Sequence, residues 1–176
     1  MTNPVLRKWR RLSESDVIAV AQAWLREVEE TQLDSVGEWS EGITAMNFFC
    51  PPEMQWNFAR IATNLAQTDL QLAAIAVGPL QHLLVHAGED WIGSVESKAL
   101  ESDKFRRMLD GVYGTESISS SVLDRLDDLR DQLSDYLDDA AIERAQQHRI
   151  DCERGSLARL KEIQRRRAVE RSGLDE

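Results

Sequence analysis

The sequence predicts an all-α fold, a compact multi-helix bundle of short helices followed by a long C-terminal helix or helical hairpin. Apolar residues recur at steps of three and four through most of the chain, which places them on one face of a helix. Glycine and proline stand between these periodic segments, where helices end and begin. After residue 119 the alternation in threes and fours continues over a longer stretch, as in a coiled-coil seam.

Size and composition set the outer limits on function. The 176 residues are 42% hydrophobic and carry a net charge of -10, enough for one packed core plus an appendage. The two cysteines, Cys50 and Cys152, match neither a metal-ligand spacing nor a disulfide framework, which favours a reducing compartment. No apolar stretch approaches the roughly 18 to 20 residues that span a bilayer, and the N-terminus lacks the apolar core of a signal peptide. We therefore expect a soluble cytoplasmic protein with no membrane contact.

The pattern divides the chain into three parts. A basic N-terminal arm (1–12) precedes a helical bundle domain (13–114), and a charged helical arm (115–176) follows, acidic over 122–143 and basic over 144–171. The cations of the basic N-terminal arm are Arg7, Lys8, Arg10 and Arg11.

The first half of the bundle domain contains two predicted helices and a loop. The first helix begins after Ser13, because Ser13 and Asp16 have the spacing of a capping box ahead of an apolar stripe. From Asp34 to Pro52 the helical period is lost, and we expect a loop that lies on the core. The prolines at 51 and 52 then suit the opening turn of a second helix, which ends near Gln67.

The second half of the bundle domain reads as several short helices. Asp69 is expected to cap a third helix, apolar on most sides and therefore central. The Gly78–Pro79 pair indicates a helix-to-helix corner, and the next short helix ends at Gly88. Acids at 89 and 90 then occupy the first turn of a further helix, where they complement its dipole, and the pattern repeats after Ser102.

Three segments of this domain resemble a known family. The order "VAQAWL", "PPEMQWNFARIA" and "AVGPLQHLLVHAGEDWIGSVESKALESDKFRRMLDGVYG" is similar to an uncharacterised bacterial family of all-helical domains of unknown function. That family has Gly-Pro-Leu-Glu before a Leu-rich turn, a His near a Gly, and a Phe-Arg, Leu and Gly-Val-aromatic ending. The resemblance runs from Ser13 to Gly114, with Gln81 in place of the expected acid. It implies a fold and carries no reaction.

The charged helical arm is predicted to be one long helix, capped by the serines at 119–121. Residues 124–143 hold eight acids and two arginines, a net charge of -6, and residues 144–171 hold nine Lys or Arg and four acids, a net of +5. A bend near Gly155 would fold the basic half onto the acidic half, whereas a continuous helix would pair in an antiparallel homodimer. Glycine inside a helix costs only about 1 kcal/mol, so both arrangements remain open. The seam consists of Val122, Leu126, Leu129, Leu133, Tyr136 and Ala140.

The charged arm also supplies the predicted partner-binding residues. An acidic helix face is typical of a docking surface for a basic protein, and less often mimics the phosphates of nucleic acid. The arginine triplet near the C-terminus and the basic N-terminal arm could touch phosphates, although pairing with the chain's own acids is the simpler interpretation. The partner-binding residues are Asp124, Asp127, Asp128, Asp131, Asp135, Asp138, Asp139, Arg165, Arg166 and Arg167.

Metal binding and catalysis have weaker support in the sequence. His82 and His86 lie one helical turn apart, and Glu89 or Asp90 could add a carboxylate ligand, yet the glutamate of the metalloprotease motif is missing. Two histidines beside an apolar seam are the plainer interpretation. No nucleophile with a base and no phosphate-binding loop is recognisable, Cys50 included.

We therefore expect a protein without catalytic residues, metal or cofactor that binds a partner protein, in a role such as an immunity, antitoxin-like or inhibitor protein. Two alternatives remain: a nucleic-acid-associated or phosphate-mimicking regulator, and a small metal-dependent enzyme that uses His82 and His86.

Overall fold

The computed structural model is an all-α bundle, and it describes residues 4–30, 37–112 and 115–172, with side chains as far as Arg159 except those of Thr115 and Leu157. No described residue lies in a β-strand. The α-helices are α1 (Pro4–Trp9), α2 (Glu14–Glu30), α3 (Glu38–Phe49), α4 (Pro52–Leu65), α5 (Asp69–Ile75), α6 (Gln81–Glu101), α7 (Asp103–Met108), α8 (Ser120–Arg130) and α9 (Asp139–Ser172). A π-helical turn (Ala76–Leu80) joins α5 to α6, and 3-10 turns lie at Leu109–Gly111 and Thr115–Ser117.

The start of α2 confirms the predicted capping box. The backbone N–H of Ser13 donates to the Asp16 carboxylate at 2.8 Å, and the N–H of Asp16 donates to the Ser13 hydroxyl at 3.2 Å. The hydroxyl of Ser13 also donates to the Asp16 carboxylate at 2.6 Å, and this bond, together with that from the Ser13 N–H, lowers the pKa of Asp16. Helix α4 starts at Pro52 as predicted and ends two residues earlier than expected, at Leu65. At both helix starts, residues close together in the sequence were sufficient to predict the structure.

The predicted loop over 34–52 is wrong, because most of it forms α3. This helix has no side-chain cap from its own N-cap residue, Gly37. Instead the carboxylate of Glu27 on α2 accepts the N–H of Trp39 at 3.0 Å and that of Ser40 at 2.7 Å. A negative charge at this end of a helix also favours the dipole. Helix α3 therefore depends on a cap from another helix, which its own sequence does not show.

The predicted corner at Gly78–Pro79 is also wrong, since the helical run continues from Asp69 to Glu101. Pro79 has no N–H for an α-helical hydrogen bond, and the wider π turn carries the chain across it. The expected end at Gly88 is instead a kink, where Ala87 has φ -146° and ψ 24°. The predicted cap Asp69 is the first residue of α5, and the capping oxygen is that of Thr68.

This continuous run contains a stretch long and apolar enough to cross a membrane, which the prediction of several short helices had missed. Within the described part of the chain it is the one such stretch, and 78% of it is buried inside the protein. Core helices of globular proteins have the same property. The π turn is wholly buried, so it runs through the middle of the bundle.

The predicted long helix through 122–140 is wrong as well. Helix α8 ends at Arg130, residues 131–138 form an irregular connection, and α9 starts at Asp139. Of the two arrangements left open at Gly155, the structure has the continuous helix, because α9 is helical through that residue. One hydrophobic core extends across the predicted boundary at 114, since Val122 and Leu126 of α8 and Ile142 of α9 are buried in it. Helix α9 packs mainly on α5 and α3.

Candidate functional site

The outer side of α8 carries a stripe of carboxylates. The buried residues Val122, Leu126 and Leu129 follow one another at steps of four and three, which defines the inner face of the helix. Four acids, three in α8 and one directly after its last residue, recur at the same steps on the opposite side, and all of them are exposed. We call this set the acidic stripe: Asp124, Asp127, Asp128 and Asp131.

Only part of the acidic stripe is neutralised within the protein. Asp127 accepts a hydrogen bond from Arg130 at 2.8 Å. The same arginine also donates to the backbone carbonyl of Leu109 at 3.1 and 3.2 Å, which fixes the end of α8 to the bundle. The carboxylates of Asp124, Asp128 and Asp131 make no ion pair or hydrogen bond with any residue that the structure describes. Negative charge therefore accumulates at the C-terminal end of α8, where the helix dipole is itself negative.

The connection between α8 and α9 continues this acidic surface and is held in place by Arg107 of α7. The guanidinium of Arg107 donates to both carboxylate oxygens of Asp69, at 2.7 and 2.9 Å, and to the backbone carbonyl of Tyr136 at 2.9 Å. Its Nε also lies 2.8 Å from Oδ2 of Asp135. One arginine thus ties α5, α7 and the connection together.

Two further carboxylates bind the backbone of the same connection. The N–H of Leu137 donates to Asp110 at 2.9 Å, and the N–H of Asp138 donates to Asp69 at 3.0 Å. Burial opposes ionisation of Asp69, but its hydrogen bonds from Arg107 and Asp138 and the charge of Arg107 outweigh this and lower its pKa. The irregular segment therefore has a defined backbone.

Tyr136 stands out on this anchored segment because it is a large residue that is 55% exposed. Leu137, the next residue, is buried in the core, which turns the tyrosine outward. The exposed Asp135, Asp138 and Asp139 flank it. An exposed aromatic side chain with acidic residues on both sides, on a backbone that is already ordered, is suited to binding a basic protein surface.

The predicted partner-binding residues fall into two groups, the aspartates and the arginines. All seven aspartates lie on the surface formed by α8, the connection and the first turn of α9. The side chains of Arg165, Arg166 and Arg167 lie outside the described residues, although their backbone belongs to α9.

The two histidines proposed as metal ligands lie on α6, with ring centroids 5.6 Å apart. The acid beside His82 is Glu153 of α9, with Nε2 and Oε1 3.5 Å apart, and this contact lowers the pKa of Glu153. The expected ligand Glu89 instead accepts hydrogen bonds from the hydroxyls of Ser119 and Ser121. Among the described residues no group of three or more His, Cys, Asp or Glu side chains is arranged to hold a metal ion.

A buried polar contact that the sequence did not reveal joins α3 to α9. The hydroxyl of Ser40 lies 2.9 Å from Nε2 of His148, and Sγ of Cys152 lies 3.6 Å from the same nitrogen. Burial lowers the pKa of His148 and raises that of Cys152 to about 12, so the folded state favours a neutral imidazole and a protonated thiol. A thiol in this state is a poor nucleophile. No local pattern links Ser40 to His148, because 108 positions separate them.

The space beside this contact is small. A cavity of about 30 Å³ lies among α3, the π turn and α9, lined by residues that include Asn47, whose Oδ1 has no hydrogen-bond partner among the described residues. A buried water needs roughly 10 to 15 Å³. The cavity is therefore sized for water, and Asn47 offers it an acceptor. We conclude that the contact between Ser40 and His148 helps to hold α9 against α3.

The basic N-terminal arm forms α1, whose apolar residues pack inward. The ring of Trp9 meets that of Phe58 edge-on, with centroids 5.8 Å apart. Val5, Leu6 and Leu12 also pack against the core. The cations of the arm are all exposed, and none of them forms an ion pair with a residue that the structure describes. These cations are Arg7, Lys8, Arg10 and Arg11. The expected pairing with the chain's own acids stays a prediction, because Asp34 is one of the acids outside the described residues.

The family model of a family of unknown function, DUF6869, matches residues 27–134, and the chain therefore belongs to that family. The expected membership of an uncharacterised family is thereby confirmed. No curated protein and no solved structure matches the chain. The matched region begins within α2 and ends in the connection after α8, so it includes the acidic stripe and leaves out α1 and α9.

Proposed function

We propose that this chain is a protein-interaction module that binds a basic partner through the acidic stripe and the connection that carries Tyr136. The observation that supports this most strongly is the placement of charge on α8. Like charges one turn apart on a helix destabilise it by roughly 0.2 to 0.5 kcal/mol per pair, and carboxylates near its C-terminal end oppose the dipole. The acidic stripe thus works against the stability of α8, as binding surfaces often do.

The surroundings of the stripe support the same function. Tyrosine is enriched among the residues that dominate binding energy, and Tyr136 is exposed on a segment whose backbone is already ordered, which limits the entropy lost on binding. The net charge of -10 would steer a basic partner towards the surface at low salt. An immunity, antitoxin-like or inhibitor role in a bacterial cytoplasm is the specific form of this proposal, and it rests on analogy with other small acidic binding proteins.

The test separates binding from folding with charge-matched variants. The triple variant Asp124→Asn, Asp128→Asn, Asp131→Asn removes the unpaired carboxylates of the stripe. We expect it to unfold at a slightly higher urea concentration than the wild type, because repulsion on α8 is relieved. The control variant removes three exposed acids elsewhere and reaches the same net charge: Glu30→Gln, Asp90→Asn, Glu101→Gln.

Each tagged variant is used to capture proteins from a lysate of the source organism at 50 and 300 mM salt, with identification by mass spectrometry. We expect the wild type and the control to retain the same basic partner at 50 mM salt and release it at 300 mM, and the triple variant to retain none. Tyr136→Ala should weaken retention without affecting stability. Equal capture by the triple variant would refute the acidic stripe as the binding surface.

A further inference from the structure

The four cations of α1 and of the turn after it (Arg7, Lys8, Arg10 and Arg11) differ from most of the described basic residues. Nearly every described Lys or Arg from residue 60 to residue 159 donates to an acceptor of the chain: Arg125 to Glu96, Arg144 to the carbonyl of Glu29, and Lys104 to carbonyls at the end of α4. None of these four cations makes such a contact with a described residue, and the same is true of Arg26 on α2. Within the described part of this chain, whose net charge is -10, these four residues form a patch of exposed positive charge.

The arm packs on the core through its apolar residues, and its cations are exposed. Trp9 packs on Phe58, and the partly buried Val5, Leu6 and Leu12 complete the inner face of the arm, so the helix is fixed to the core. Among the described apolar residues of the arm only Pro4 is exposed, so this surface lacks the large apolar side chains with which an amphipathic helix enters a lipid surface. The patch is therefore better suited to phosphates than to a bilayer.

The helix on which α1 packs ends in an exposed aromatic residue. Helix α1 packs on α3, and Arg10 lies close enough to Cys50 for its charge to favour the thiolate. Phe49, the residue before Cys50, is 39% exposed, whereas the ring of Phe48 packs edge-on against His82 of α6, with ring centroids 4.8 Å apart. Cations beside accessible aromatic rings are the arrangement that binds single-stranded nucleic acid, where the cations contact phosphates and the rings stack on bases.

We propose that the outer face of α1, with Phe49 beside it, is a binding surface for single-stranded nucleic acid. It lies on different helices from the acidic stripe, because α1 packs on α3 whereas α8 packs on α6, α7 and the 3-10 turn at 109–111. The proposal is independent of the proposed function: the nucleic acid binds α1, and the protein partner binds α8. Stacking is tolerant of sequence, so no base preference is expected.

The test measures fluorescence anisotropy of labelled 20-nucleotide oligo(dT) and oligo(U) with the full chain, at salt concentrations from 50 to 200 mM. Four phosphate contacts give a slope of about -2.8 in log affinity against log salt, so affinity should fall about 50-fold over this range. The α1 variant is Arg7→Gln, Lys8→Gln, Arg10→Gln, Arg11→Gln, and it should lose binding. The charge-matched control, Arg26→Gln, Lys98→Gln, Arg154→Gln, Arg159→Gln, should bind like the wild type.

The ring contribution is tested in the same assay. Phe49→Ala should lower affinity at least about fivefold, whereas Leu100→Ala, which removes a side chain that is 69% exposed on α6, should not change it. Preference for one of the two oligonucleotides identifies the natural strand as DNA or RNA.

Four results would overturn the proposal. The first is no binding of either oligonucleotide at 50 mM salt, and the second is equal loss in the α1 variant and its control. The third is binding of a 20-base-pair duplex as tight as that of the single strands, together with an unchanged affinity of Phe49→Ala. The fourth is sedimentation with phosphatidylserine vesicles in the absence of oligonucleotide binding, which would make the patch a membrane contact.

Discussion

Replacement of Arg107 by methionine tests whether one side chain organises the acidic surface. The guanidinium and the Asp69 carboxylate share two hydrogen bonds, and their side chains are only 24% and 30% exposed. Hydrogen bonds to charged groups contribute about 1.5 to 3 kcal/mol where water is partly excluded. Asp135 is 76% exposed, so its ion pair adds little. We expect Arg107→Met to lower the free energy of unfolding by about 2 kcal/mol.

The neighbouring arginine provides a matched control. Arg106 occupies the same helix and pairs with Asp103, whose side chain is 93% exposed, so Arg106→Met should cost less than about 0.5 kcal/mol. Urea denaturation followed by tryptophan fluorescence measures both values, with the slope against urea showing whether unfolding remains two-state. In a thermal scan the loss for Arg107→Met corresponds to about 6 °C. Equal destabilisation by the two substitutions, or a loss below about 0.5 kcal/mol for Arg107→Met, would refute this argument.

The pH dependence adds an independent check on the same contact. Because the pKa of Asp69 is lowered in the folded state, its contribution is complete above the unfolded value of 3.8 and is lost as pH falls through the folded value. The difference in stability between wild type and Arg107→Met should therefore be constant from pH 7 to pH 5 and shrink towards pH 3. A difference that does not change with pH would show that the arginine acts through packing and not through its charge.

Three other predictions concern the core and the contact between α3 and α9. Burial lowers the pKa of His148 below its ordinary value of 6.5, so its contribution to the free energy of unfolding should be complete above that pH and decrease as pH falls below it. Urea titrations at pH 7.5 and 5.5 should therefore show a smaller loss of stability for His148→Gln than for the wild type. A methyl group at Gly111 would lie 2.9 Å from Cβ of Ala76, so Gly111→Ala should destabilise the protein by about 1 to 3 kcal/mol. A methyl group at Gly93 on α6 would meet nothing within 4 Å, so Gly93→Ala should stabilise it by about 0.4 to 1 kcal/mol. A higher melting temperature for Gly111→Ala, or a lower one for Gly93→Ala, would contradict this packing. Burial raises the pKa of Cys50 to about 11 and that of Cys152 to about 12, so neither thiol should react with a thiol-specific disulfide reagent at pH 8 until urea unfolds the chain, and rapid labelling of the native protein would show that one of them is accessible.

The sequence alone determined the helical class and the features that depend on neighbours along the chain. The capping box at Ser13 and the proline start of α4 were predicted because each involves groups three or four residues apart. The apolar stripes of α2 and α4 have the same local origin. The acidic stripe was visible as composition, although its residues were assigned to a longer helix than α8.

Tertiary structure decided what local rules could not. Helix α3 forms although glycines interrupt its pattern, because Glu27 caps it from a position 12 and 13 residues earlier in the chain. The run from α5 to α6 stays helical across Pro79 because the buried π turn is enclosed by packed helices. Arg107 binds Asp69, 38 positions away, and also the backbone carbonyl of Tyr136. The bond to Tyr136 holds the middle of the predicted long helix as an irregular connection. Contacts of this kind become favourable only when the core brings distant residues together, so the sequence shows the residues but not the pairing.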